Sequence, residues 1–293
     1  MEDRMITYGG QAVIEGVLMR GQNALAIAMR APDGQIVIHK EKLEGIYRSQ
    51  AAKVPFLRGM LLLWDALGLG FRALTFSANL QAANEKEKLE GPALYGTMVL
   101  SLLIGIGLFF VGPALAGSLG ESYLGWNVWI SNLIEGLIRL LLLIGYIWAI
   151  GRMDDVKRLF MYHGAEHKTI NAFEAGAELT PESVAQFSLE HPRCGTAFML
   201  TLVLLSIFVF TLIGDLPMFY KFSSRVILLP LMAGVAVEYI RWTAGHLKSP
   251  FVRALIKPNM AMQSLTTREP ERAMLEVAIA AFNGMREAEK EYA

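Results

Sequence analysis

The sequence predicts a mainly α, polytopic membrane helix bundle of about four spans. A small cytoplasmic β-containing segment precedes the bundle and an amphipathic helix follows it. Three observations predict this class. Of 293 residues, 54% are hydrophobic and only 18% charged, which is too apolar for an ordinary soluble domain. The apolar residues gather in four runs near the ~20 residues that a ~30 Å hydrocarbon core requires. Lys and Arg fall mostly on one side of those runs, and by the positive-inside rule that side is cytoplasmic.

Residues 1–53 read as a β-rich cytoplasmic segment. Ala24–Arg30 and Gln35–His39 are short apolar runs joined through Pro32-Asp33-Gly34. There Pro presets φ and Gly accepts a positive φ, so a hairpin is expected. Upstream, Gly9–Gly21 has glycines at both ends and a Val/Ile centre. It reads as a strand whose backbone passes close to something else, and its Glu15 and Arg20 are candidate substrate-binding residues. Residues 54–92 hold an interfacial amphipathic helix and a linker. In Val54–Leu80, Arg58, Asp65 and Arg72 recur every seven residues against a broad apolar face. Three regular charges make it a poor spanning helix. Asn84–Glu90 is a charged linker.

Residues 93–257 supply the bundle. Its spans are Ala93–Gly117, bent or ended by Gly112-Pro113, then Val128–Ile150, Gly195–Gly214 and Val226–Thr243. Residues 118–127 contain no Lys or Arg, and 215–225 contain only Lys221 and Arg225. Both termini and the 151–193 connection are therefore expected in the cytoplasm, with the protein in the inner (cytoplasmic) membrane. Glu135 and Arg139, at i and i+4, form either a self-satisfied ion pair or part of a polar path through the bundle. In residues 258–293, Pro258–Thr267 reads as a loop. Glu269-Pro270-Glu271 then opens a C-terminal helix with an apolar stripe of Met274, Val277, Ala278, Ala281 and Phe282.

The formal net charge is zero, so nothing draws the chain to nucleic acid. The bilayer is the expected partner, and a homo-oligomer is compatible. A single cysteine excludes an internal disulfide framework and suits a reducing compartment. The polar start Met1-Glu2-Asp3-Arg4 does not read as a secretory signal peptide.

The chemistry concentrates in Tyr162-His163-Gly164-Ala165-Glu166-His167-Lys168. His-x-x-Glu-His is the inverted zinc-hydrolase pattern. On a helix it puts two imidazoles on one face, next to a carboxylate able to take a proton from activated water. Downstream lies His191-Pro192-Arg193-Cys194, with the only cysteine. The expected topology brings these groups to one depth together with Glu238, in the inner half of the fourth span, and His246. Zinc takes imidazole, thiolate and carboxylate ligands, usually four. His163, His167, His191, Cys194 and Glu238 are therefore the candidate ligands of a divalent metal, zinc by donor type. Glu166 is the candidate catalytic base, and Arg193 can hold an anionic substrate group.

With these residues in view, the chain resembles the YqhQ family of bacterial membrane proteins, usually described as uncharacterised or as predicted metal-dependent enzymes. The resemblance rests on GGQAVIEGVLMRG at Gly9–Gly21, PFLRG at Pro55–Gly59, YHGAEHKTINAFE at Tyr162–Glu174, HPRCGTAF at His191–Phe198 and LTTREP at Leu265–Pro270. It implies an integral membrane protein with a suspected metal centre at His163, Glu166, His167, His191 and Cys194, and it implies no substrate. The first functional expectation is a metal-dependent hydrolase at the cytoplasmic membrane face, acting on a peptide, a lipid head group or another amide or ester. The alternatives are a closed metal site in a scaffold or sensor, a metal-ion transport component using Glu135, Arg139 and Glu238, and a Cys194 nucleophile with His191 as base.

Overall fold

A computed structural model describes residues 8–43, 54–82, 91–214 and 216–292. The expected charged linker Asn84–Glu90 lies outside the described residues.

The N-terminal segment is an antiparallel meander of four strands, β1 (Gly9–Val13), β2 (Gly16–Arg20), β3 (Ala24–Arg30) and β4 (Ile36–Lys42), in the order β1-β2-β3-β4. The hairpin through Pro32-Asp33-Gly34 forms as expected, with Arg30 opposite Ile36 and Gly34 at φ 86°. Gly9–Gly21 is not one strand but a second hairpin, turning at Ile14-Glu15 with Val13 opposite Gly16. The turn carries none of the usual Asn-Gly or Asp-Gly chemistry. Instead Glu15 itself takes a positive φ of 53°.

The helices are α1 (Leu57–Gln81), α2 (Gly91–Ile106), α3 (Gly112–Leu124), α4 (Val128–Ile150), α5 (Asp154–Glu174), the single turn α6 (Pro181–Val184), α7 (Gly195–Ile213), α8 (Met218–Ile227), α9 (Leu229–Gly245), α10 (Pro250–Thr266) and α11 (Arg272–Glu291). β2 and β3 are apolar nearly throughout because both faces of the sheet are covered. On one face Val17, Met19, Ala26 and Ala28 pack with Tyr162 and Ala165 of α5 and Met274, Ala278, Phe282 and Met285 of α11. On the other, Val13, Leu18, Leu25, Ile27 and Met29 pack with Ala73 and Leu69 of α1. Each buried Val, Leu or Met side chain contributes roughly 1.5–3 kcal/mol.

Four helical stretches are long and apolar enough to cross a membrane: Leu94–Leu124, Val128–Ile150, Gly195–Ile213 and Phe219–Gly245. The first runs on past Gly112-Pro113. Pro113 has no N–H for the Phe109 carbonyl, and the helix widens into a π turn over Gly107–Val111, where the Gly112 N–H reaches the Gly107 carbonyl. The freed Phe109 carbonyl accepts from Arg139 Nε of α4 at 2.8 Å. Pro258–Thr267, expected as a loop, lies almost wholly inside α10. Pro258 faces outward, while Val252, Ile256, Asn259, Met262, Gln263 and Thr266 keep a buried helical stripe past it. Tertiary packing here outweighs the lost backbone bond. α11 begins right after Glu269-Pro270-Glu271, with the expected stripe buried.

The end of α4, the start of α7 and the end of α9 lie at one end of the bundle, where α5, α10, α11 and the sheet assemble. The N-cap and early residues of α7 meet α5 and α10 there.

Candidate metal centre

α5 starts with Asp154 and Asp155 in its first turn, where carboxylates favour the positive end of the helix dipole. Its middle is unusual. Seven consecutive residues, Gly164–Ile170, are all buried, and four of them, Glu166 to Thr169, are polar. Burial of a polar group is costly unless it is hydrogen-bonded, so each needs a partner. Thr169 donates to the Ala165 carbonyl at 2.8 Å. Lys168 donates to the carbonyls of Ala185 and Phe187 at 2.8 and 2.9 Å and pairs with Glu269 at 2.8 Å. His167 donates through Nδ1 to the Leu189 carbonyl at 2.5 Å. Glu166 is the exception. It takes a backbone hydrogen bond from Gly10, and its Oε2 has no hydrogen-bond partner among the described residues. Burial pushes this carboxyl up to about 7, against the opposing pull of His163 and the Gly10 N–H.

The Gly-rich stretch therefore passes close to the centre. A Cβ on Gly10 would sit 2.7 Å from the Leu18 carbonyl oxygen and 2.9 Å from Glu166 Cγ and Cδ. Only a glycine lets β1 lie this tightly on α5. On another side, Gly164 admits the backbone at Arg268, whose carbonyl oxygen would be 2.2 Å from an added Cβ.

His163 donates through Nδ1 to the Thr266 carbonyl at 2.9 Å. A carbonyl only accepts, so in neutral His163 and His167 the proton is on Nδ1 and the lone pair on Nε2. His163 Nε2 lies 3.4 Å from Cys194 Sγ, which also takes the Thr196 N–H at the start of α7 at 3.3 Å. One ligand atom from each of His163, His167 and Cys194 lies within 4.8 Å of the others. Anchoring Nδ1 on a carbonyl turns the Nε2 lone pair toward the ligand group, the arrangement that orients imidazole ligands. The donor set thus suits a borderline-soft divalent ion.

His191 adjoins this group without joining it. Its ring centroid is 5.7 Å from that of His167. Its Nδ1 takes the Arg193 N–H at 3.4 Å, and its buried Nε2 is 3.7 Å from Glu174 Oε2, with no hydrogen bond. Burial, more than any neighbour, keeps its imidazole below the usual histidine range. Burial pushes Glu174 up, but His191 and Arg193 outweigh it and hold the carboxyl low. Gln263 of α10 fixes the His191 backbone with both ends of its amide, at 2.9 Å each. Nothing in the sequence around Gln263 marked it for this task.

Glu238 goes elsewhere. α1 and α9 cross at two glycines, and a Cβ on Gly59 would be 2.6 Å from the Gly234 Cα. This close crossing sets the Arg58 guanidinium on both Glu238 oxygens, and the Phe56 N–H adds a third contact. Its carboxylate is committed to α1 and lies outside the ligand group. His246 is also apart, its Nδ1 on the Trp242 carbonyl. Glu15 is a strut rather than a cavity residue. It ties the first hairpin to α5 through Arg158 at 2.6 and 2.7 Å and Tyr162 at 3.2 Å, and the Arg158 contact holds its carboxyl below the usual range. Arg20 and Arg193 do line a cavity of about 360 Å³, which His163, Glu166, His191 and Cys194 also face.

A family model described as a protein of unknown function, DUF1385, matches residues 54–288. The uncharacterised protein YqhQ of Bacillus subtilis (strain 168) is 34% identical over 295 residues, spanning 94% of this chain and 91% of its own. The chain belongs to this family. No solved structure matches it. The DUF1385 match takes in both halves of the ligand group, α5 and the start of α7. The family names carry no activity. For this member of the YqhQ family, what can be said of function rests on the geometry just described.

Proposed function

We propose that the chain is a metal-dependent hydrolase of the cytoplasmic membrane face. His163, His167 and Cys194 would hold a divalent ion, zinc by donor type, and Glu166 would serve as the base. The observation that carries this reading is the hydrogen-bond account of α5. Among the described residues every polar side chain in its buried middle is satisfied except Glu166, which lines the cavity and has one oxygen bonded by Gly10 and Oε2 bare. Most buried polar atoms are hydrogen-bonded, so a bare carboxylate oxygen calls for an explanation. A bound ion would supply Lewis acidity toward a carbonyl or phosphoryl oxygen and toward water. Three protein ligands leave a fourth tetrahedral position for that purpose.

The chain's own residues would do the rest. The Thr266 and Leu189 carbonyls keep His163 and His167 in the tautomer that exposes Nε2. Gly10 holds one Glu166 oxygen in place while the other takes a proton from water and returns it to the leaving group. The positive flanks of the spans support placing the centre on the cytoplasmic side.

The test is the metal content of the purified chain by elemental mass spectrometry. The expected result is about one zinc per chain, lost in His163→Ala and kept in Glu166→Gln. A wild-type protein that neither carries nor takes up metal overturns the reading. His191 favours a second reading, a closed four-ligand site, because its buried Nε2 lacks a hydrogen bond. In that case His191→Ala releases the metal as readily as His163→Ala does, and Glu166→Gln leaves function intact.

A further inference from the structure

The cavity is built from two materials. Its polar wall comes from α5, β1–β2 and the turn before α7, with His163, Glu166, Arg193 and Arg20. Its apolar wall comes from the spans and α1, with Phe198, Val237, Ile240, Leu63 and Leu69. Depth can be counted along the helices at 1.5 Å per residue. Phe198 is three residues, roughly 4.5 Å, inside the start of α7. Ile240 and Val237 are five and eight residues, roughly 7.5 and 12 Å, inside the end of α9. One continuous cavity thus runs from the ligand group, outside the spans, to side chains well within them.

A water-soluble substrate has no use for the apolar half, and a plain hydrocarbon has none for the polar half. Among the described residues, cationic side chains outnumber carboxylates on the cavity wall. Three arginines, Arg20, Arg193 and Arg241, line the cavity, and among the described residues Glu166 is the one carboxylate on its wall. Arg193 gives one edge to Glu174, while its buried Nε has no hydrogen-bond partner among the described residues. A guanidinium presented this way suits a phosphate or carboxylate oxygen.

We infer that the cavity takes an amphiphile with an anionic head. The head lies at Arg193 beside His163 and Glu166, and the alkyl chain lies along Phe198, Ile240 and Val237, having entered from the bilayer. The inference rests on the reading of this cavity as the reactive centre and names the substrate class for it.

The experiment uses the full chain in nanodiscs, metal-stripped and carrying Glu166→Gln, so that binding is read without turnover. The probe is phosphatidic acid with a diazirine in one acyl chain, compared with the same chains on phosphatidylcholine. Sites of attachment are mapped by peptide mass spectrometry. Phosphatidic acid is expected to label the peptides holding Phe198 and Val237–Ile240 about tenfold more than phosphatidylcholine, a difference of about 1.4 kcal/mol. Arg193→Gln removes that preference, and Leu69→Trp, which fills the apolar half, lowers labelling by both probes. Inorganic phosphate does not compete. Labelling spread evenly over the lipid-facing helices overturns the inference, as does displacement of the probe by inorganic phosphate alone, which would make a free anion the ligand. Cavity labelling in a protein that takes up no metal removes the hydrolase and leaves the amphiphile site. Metal uptake with even labelling removes the amphiphile site alone.

Discussion

Glu135 and Glu166 are both nearly sealed from solvent, at 1% and 5% exposure, yet their surroundings treat them in opposite ways. Within the bundle, Glu135 takes Arg139 Nη2 at 2.8 Å and Arg225 Nε and Nη2 at 3.0 and 2.9 Å. The two guanidinium groups are themselves occupied. Arg139 also donates to Ser206 and to the carbonyl that Pro113 leaves free, Arg225 donates to Asn132, and both stack near the Phe210 ring. On α5, Glu166 lines the cavity, takes one backbone donor, and keeps one buried oxygen without a partner among the described residues. A buried charge with all its bonds made fixes a structure, and one with a bond missing has something left to bind. The sequence offers Glu166 as a catalytic base and leaves Glu135 between an ion pair and a polar path. The comparison favours a structural role for Glu135 over a transport path.

The largest effect expected on breaking this contrast is in the bundle. Glu135→Leu leaves two guanidinium groups buried without their carboxylate, which costs about 3–5 kcal/mol. Thermal unfolding in detergent should show a large loss of stability, and an unchanged midpoint would refute the structural role. Gly10→Ala should come next, at about 1–3 kcal/mol, because the added methyl must push β1 off the Leu18 carbonyl and Glu166. The same melt checks it, and a wild-type midpoint would mean that the strand does not press on α5. The smallest change belongs to Glu166→Gln. With so few bonds to lose, its unfolding free energy should stay within about 1 kcal/mol of wild type. A loss as large as that of Glu135→Leu would erase the distinction.

Some of this was readable from the chain. The four spans announce themselves because nothing but lipid or a large core accommodates such runs, and α11 shows its stripe at helical spacing. His163 and His167 share a face because the helical period requires it. That Gly9–Gly21 must pass close to something followed from its glycines, although its partner, Glu166, did not. Features made by distant pairing were hidden. Glu238 was drawn toward the centre by depth alone, and only the Gly59–Gly234 crossing reveals that Arg58 holds it. The hairpin at Ile14-Glu15 lacked turn residues because its geometry is held from outside, by Arg158 and Tyr162 on α5. Pro258 suggested a break that packing on both sides of it prevents.

The sheet has one more property, which concerns how the chain is made. Its first strands leave the ribosome well before α11, the helix that covers one of their faces. Glu289 closes on the Asn23 and Ala24 amides across 266 and 265 residues. At about 5–20 residues per second, that face waits roughly 15–50 s for its cover, while four apolar helices are delivered to the bilayer in between. α11 acts as the clasp of the whole assembly. A chain lacking it would hold the four spans found among the described residues and every candidate ligand, and would still present an open, apolar sheet to the cell's quality control.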